Sequence, residues 1–248
     1  MAEHHFILIA LIFLLAGLVK GVIGMGLPTI SMGLLALVMP PAEAAALLIV
    51  PSLVTNVWQM VVGPHLRPLV RRLWPMMLTV VLGTWAAAWL GFGLGAAVGP
   101  ATIALGVALA LYALVGLLSF RLRPPGSGER LWSPLIGAIT GAITAATGVF
   151  VIPAVPYLQA LGLEKDALVQ ALGLSFTVST IALAVGLSGG GSFGGGVALH
   201  SLLALAPAVL GMAIGQALLR RVSPATFRLC FFAGLLLLGL HLAAGRLL

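Results

Sequence analysis

The sequence predicts an all-α integral membrane protein, with about eight transmembrane helices in two related four-helix halves, each half opening on a broken helix. Composition is the first of three observations behind this. Of 248 residues, 61% are hydrophobic and 7% charged, and the mean hydropathy is +1.22, which leaves too little polar material to coat a water-soluble globule. Long apolar runs separated by short polar or Gly/Pro interruptions are the second, since a span needs about 20 mostly apolar residues. An internal repeat is the third. Together they predict a single membrane domain over 1–248, with a first half at 1–120, a linker at 121–132 and a second half at 133–248.

Taken in order, the apolar runs fall at 6–38, 42–63, 69–92, 98–119, 133–161, 166–187, 197–219 and 224–245. The chain enters the first run without a basic n-region or a small-residue cleavage site, so a retained span is expected rather than a signal peptide. The first and fifth runs are too long for single spans, because about 30 helical residues would measure about 45 Å. Each is therefore expected to break, the first around Gly21, Gly24, Gly26 and Pro28, the fifth around Gly141, Thr147, Gly148, Pro153 and Pro156. Arg121 to Trp132, rich in Pro and Gly, is the central linker. The tract Gly189–Gly196 lacks the Lys-Ser/Thr of a phosphate loop and is expected to be an extramembrane loop.

A constant offset of 120 aligns Gly17 with Gly137, Gly21 with Gly141, Gly24 with Thr144 and Pro28 with Gly148. Three further residues of shift align Ser52 with Ser175 and Asn56 with Ser179. Paired interrupted segments in two halves point to a transporter's binding site. Four spans per half is an even number, so the halves are expected to share an orientation about an axis along the membrane normal. Counting Lys and Arg by loop then places the N-terminus in the cytoplasm.

Lys20 stands inside the first run, where an ionised amine costs about 2.5–3.5 kcal/mol on insertion scales. It either faces an anionic substrate or snorkels to an interface. Broken helices expose backbone N–H groups and half-helix N-termini, which suit an oxyanion; Gly24, Gly26, Pro28, Thr29, Thr144, Thr147 and Gly148 are the candidates there, with Ser31 as a further hydroxyl donor. Gly17, Gly21, Gly137 and Gly141 have small-xxx-small spacing and are read as helix-packing positions. Thr55, Asn56 and Gln59 share a helical face, with Ser175, Thr177 and Ser179 in the related place, serving either the site or interhelical hydrogen bonds. His200 and His241 are expected to be bundle histidines rather than proton relays, and Cys230 a small packing residue. No metal-ligand set, cofactor motif or ATPase motif is present in the sequence. A pI near 11.2 would suit nucleic acid, but the twelve basic residues form no face with interleaved aromatics. Gly186-Leu187-Ser188-Gly189 matches an intramembrane-protease tetrapeptide, but Ser188 sits at a span's end.

The segment from Gly17 to Pro28, its degenerate copy from Gly137 to Pro153, and the stretch Pro51 to Gln59 together resemble the TauE/SafE sulfite-exporter family over the whole chain. The resemblance implies a bacterial inner-membrane permease, not an enzyme, that moves sulfite, organosulfonates or another small organic anion such as a carboxylate. It implies that the paired segments form the translocation site, at Gly21, Gly24, Gly26, Gly141 and Gly148, with Asn56 and Gln59. The chain departs from the family's fuller glycine run at Leu27, Pro28, Thr144, Ala146 and Thr147. The partners expected are a small anion, the lipid bilayer and a coupling ion such as H+ or Na+, with self-association left open. The competing class is a non-transporting membrane protein.

Overall fold

A computed structural model describes residues 2–95, 97–118, 124–189, 195–218 and 223–245, and among them the chain is helical without strands. The first run divides into α1 (Ala2–Ile23) and α2 (Leu27–Leu35), followed by α3 (Pro41–Val61), α4 (Leu66–Ala87) and α5 (Val98–Leu117). The second half repeats this order as α6 (Glu129–Thr147), α7 (Ala154–Ala160), α8 (Lys165–Gly189), α9 (Gly195–Leu218) and α10 (Pro224–Ala244). A π-helical turn over Ala88–Phe92 extends α4. Seven helices are long and apolar enough to cross a membrane; α6 falls outside that group, with Glu129 and Arg130 in its first turn and threonines along its length. At 19 residues it measures about 28 Å, enough for the eighth crossing.

Glycines set the helix pairing. A Cβ on Gly17 would lie 2.0 Å from the Ala208 carbonyl oxygen, and one on Gly21 would lie 2.2 Å from that of Met212, so α1 and α9 touch backbone to backbone. The equivalent distances are 2.3 Å from Gly137 to Met76 and 2.2 Å from Gly141 to Val80, between α6 and α4. These four glycines are packing residues, as their spacing predicts. The 120-residue offset is thus also the packing register.

The same contacts give direction. Gly17 and Gly21 of α1 meet residues 208 and 212 of α9 in rising order, so the two run parallel; α6 and α4 likewise. Gly106 lies against Gly239 and Ala243 while Gly116 lies against Phe232, so α5 and α10 run antiparallel. Ser52 meets Thr180 and Met60 meets Gly173, so α3 and α8 do too. Short connections reverse the chain between α3 and α4 and between α4 and α5, and Lys20 and Gly24 meet Asn56 and Gln59 in rising order, so α1 runs parallel to α3. It follows that α1, α3, α5 and α9 run one way and α4, α6, α8 and α10 the other.

Because α1 and α3 are co-directional, α2 must turn back between them. It does: Gly26 meets Phe231 and Gly33 meets Leu238, so α2 runs with α10 and against α1. In the second half α7 returns toward the start of α6, where the Tyr157 and Ser133 hydroxyls are 2.6 Å apart. The short helices are re-entrant, and the halves are inverted about an axis in the membrane plane. This corrects the expectation of co-oriented halves, which followed from counting each broken run as one crossing.

The inverted topology gathers the positive charge on one face. Arg67, Arg71, Arg72, Arg130, Lys165 and Arg228 all lie at the face away from the outer ends of α1 and α10. Arg121, Arg123, Arg220, Arg221, Arg246 and residues 190–194 of the glycine tract lie outside the described residues. On this face Arg72 and Glu129 form a two-pronged ion pair at 2.6 and 2.7 Å, joining α4 to α6. With α2 and α7 re-entrant, the loop charges no longer support a cytoplasmic N-terminus.

Candidate functional site

The first break is built by glycine. Gly24 (φ 75°) and Gly26 (φ 112°) adopt left-handed backbone that L side chains rarely occupy, ending α1 and turning the chain back. Pro28 then sits in the first turn of α2, where its missing N–H is no loss, and the Thr29 hydroxyl donates to the Gly26 carbonyl at 2.9 Å.

Lys20, one turn before the break, is 3% exposed. Its ammonium donates to the Thr55 hydroxyl at 3.0 Å and to the Asn56 side-chain carbonyl. Asn56 donates onward to the Ser52 hydroxyl at 3.0 Å, and Ser52 lies 3.3 Å from the Thr180 hydroxyl of the other half. Lys20 therefore does not snorkel. Among the described residues the one ion pair is Arg72–Glu129, so the Lys20 charge faces neutral oxygens only. Two of its three N–H groups are engaged, and the third has no partner among the described residues.

Helix α3 is shaped to hold this network. Pro51 cannot donate to the Leu47 carbonyl, and Ser201 of α9 takes over, donating there at 2.8 Å and accepting from the Val50 N–H at 3.1 Å. Thr55 donates to the Pro51 carbonyl at 2.7 Å in the following turn. Gln59 clamps the break, donating at 3.1 Å to the carbonyls of Gly24 and of Val169, while its own carbonyl oxygen is buried without a partner.

The second break lies one helical turn later than the offset predicts. α6 continues to Thr147, and Gly148 (φ 70°) is the residue that turns the chain. Gly24 is thus matched by Gly148 rather than by Thr144, which is buried within α6 and donates to the Thr140 carbonyl at 2.7 Å. Thr147 accepts from the Val149 N–H at 3.1 Å, and Gly148 lies against Met32 of α2 and Ala45 of α3. Because α1 and α6 run oppositely, the two breaks sit toward opposite faces. Ser175 and Ser179 are fully buried on α8 without hydrogen-bond partners. The structure brings Lys20, Gly24, Thr55, Asn56 and Gln59 into one cluster; no hydrogen bond among the described residues links it to Thr144, Thr147, Gly148, Ser175 or Ser179.

A cavity of about 550 Å³ opens on the basic face and reaches the first break. Gly24, Met25, Gln159, Lys165, Gln216 and Arg228 are among its lining residues. Arg228 sits 5.6 Å from the Phe232 ring centroid and donates to the Gly116 carbonyl. The Tyr112 hydroxyl donates to the Met25 sulfur at 3.0 Å, and both residues line this cavity. Neither Lys165 nor Arg228 was legible as a site residue, because each reads as an ordinary loop-end cation. Thr180, Ser201 and Gln170, which fixes the α3–α4 turn through Met60, Gly63 and His65, were missed as isolated polar residues in apolar runs.

Other expectations are corrected by exposure. Cys230 is exposed rather than a packing residue, and His200 and His241 are exposed rather than hydrogen-bonded within the bundle. Ser188 is exposed and donates to the Ala184 carbonyl at 2.7 Å.

Inverted halves, re-entrant breaks and a buried cation beside one of them define a membrane transporter architecture. The family model described as Sulfite exporter TauE/SafE matches residues 9–242, and the chain belongs to that family. No curated protein and no solved structure matches it.

Proposed function

We propose that this protein is a secondary transporter of small sulfur-containing anions such as sulfite or an organosulfonate. The observation that carries the proposal is Lys20: a buried ammonium with no acidic partner among the described residues and one N–H uncommitted, at a helix break. A small oxyanion at this place would receive that N–H and balance the charge, with the glycine-break backbone able to add donors. Membership of the sulfite-exporter family supports the sulfur-containing class over a carboxylate.

The bilayer we assign is the bacterial inner membrane. Under the positive-inside rule, the face carrying Arg67, Arg71, Arg72, Arg130, Lys165 and Arg228 is cytoplasmic, and the outer ends of α1 and α10 face outward. The vestibule with Lys165 and Arg228 then opens to the cytoplasm and gathers anions toward Lys20. Gradients of ions or substrate supply the energy and set the direction.

The test is the thermal stability of the purified protein against sulfite, sulfate, thiosulfate, taurine, sulfoacetate and short carboxylates. A ligand at 100 times its Kd adds about 2.7 kcal/mol. The expected result is a saturable shift with one sulfur-containing anion that disappears in Lys20→Gln. An equal shift in Lys20→Gln would remove Lys20 from the site, and a shift with carboxylates alone would replace the substrate class.

A further inference from the structure

The Lys20 cluster is a ladder of two rungs between the parallel helices α1 and α3. On the first, the Lys20 ammonium meets Thr55 and Asn56; one turn on, the Gly24 carbonyl meets Gln59. Each rung ends in a polar group without a partner among the described residues: the third N–H of the ammonium, and the buried side-chain carbonyl oxygen of Gln59. Of the buried polar side chains that lack a partner, Gln59 is the one that hydrogen bonds tie to this ladder. Asn56 and Gln59, three residues apart, are neighbours on one face of α3 at about 5–6 Å, a spacing that one small tetrahedral anion can bridge. The cavity on the basic face reaches Gly24 and Val169, the two residues whose carbonyls the Gln59 amide holds, and so gives a ligand a way in.

The two free groups are opposite in kind. An ammonium N–H can only donate, so it needs an acceptor. The Gln59 oxygen can only accept, and the amide cannot be turned round: its other end faces two carbonyl oxygens at 3.1 Å each, which only an NH2 group satisfies. A ligand that matches both must be an anion carrying a hydrogen-bond donor of its own. An anion that offers oxygens alone would set one of them against the amide oxygen, at a cost of about tenfold or more in affinity.

We infer that Gln59 is a specificity-determining residue that makes the Lys20 site select anions bearing an O–H or N–H donor. Lys20 holds the oxyanion and the Gln59 oxygen accepts from the donor. For sulfite, the bound form is then hydrogensulfite rather than the dianion. The inference rests on the transporter reading and adds a selectivity to it. Sulfate is tetrahedral and of similar size, but at neutral pH it carries no proton, and the unpaired oxygen it would leave at Gln59 acts against it.

Sulfamate and methanesulfonate provide the test. Both are compact monoanions at neutral pH built on one sulfonate group, and they differ by NH2 against CH3. Each is titrated against the purified wild-type protein by calorimetry, with sulfite alongside. The expected result is that sulfamate binds about tenfold or more tightly than methanesulfonate, and that the preference vanishes in Gln59→Leu. Should Gln59→Leu fail to fold, Gln59→Lys, which keeps donors for the two carbonyls and lacks the acceptor, takes its place. Equal affinity for the two ligands in the wild type, or an undiminished preference in a folded Gln59 variant, would overturn the inference. So would sulfite binding without sulfamate binding, and in each of these cases the anion site at Lys20 stands. Binding of none of the three would overturn the inference and the transporter reading together.

Discussion

A buried ammonium holds its charge only while its acceptors stay in place. Asn56 is the pivot, since it accepts from Lys20 and donates to Ser52. Asn56→Leu removes an acceptor from the ammonium and the donor to Ser52, and should lower stability by about 1–3 kcal/mol, measured by denaturation in detergent. Combined with Lys20→Met, which removes the charge, its cost should shrink; additive costs would show that the two residues do not interact. Lys20 was legible because a charge inside an apolar run is conspicuous. Asn56 and Gln59 were legible by helical spacing.

Helix pairs depend on bare backbone. Gly21→Ala would place a methyl 2.2 Å from the Met212 carbonyl oxygen, and the neighbour is backbone that cannot rotate away. The α1–α9 interface must separate, so a loss of about 1–3 kcal/mol is expected, visible as a lowered Tm. Gly24→Ala meets no neighbour within 4 Å, yet φ 75° makes it unfavourable by about 1–2 kcal/mol, through strain rather than collision. In α3, Ser201→Ala leaves the Leu47 carbonyl unpaired, and Pro51→Ala restores an N–H for it; a double-mutant cycle should show the second change reducing the cost of the first. The glycine pairs were legible because their spacing repeats at the 120-residue offset. The placement of the second break was not, because Thr144 to Thr147 can continue a helix and only Gly148 permits the left-handed turn.

At the scale of the molecule, the halves and their broken helices could be read from the sequence, whereas the inversion could not. Hydropathy counts apolar length, and α1 with α2 has the length of one long span even though its second part runs backward. That single miscount reverses the side assigned to every later loop of the first half, and α7 repeats it in the second. In a Cys230→Ser background, Gly95→Cys on the α4–α5 connection should react with a membrane-impermeant maleimide in intact cells. Ser127→Cys, before α6, should react only after permeabilisation; the reverse pattern would place the basic face outside. The central claim is that anions cross this protein at Lys20, and sulfite flux in proteoliposomes tests it most directly. Wild-type protein should give saturable flux, and Lys20→Gln, shown to be folded by its retained melting transition, should give none above empty liposomes. Undiminished flux through Lys20→Gln would contradict the account.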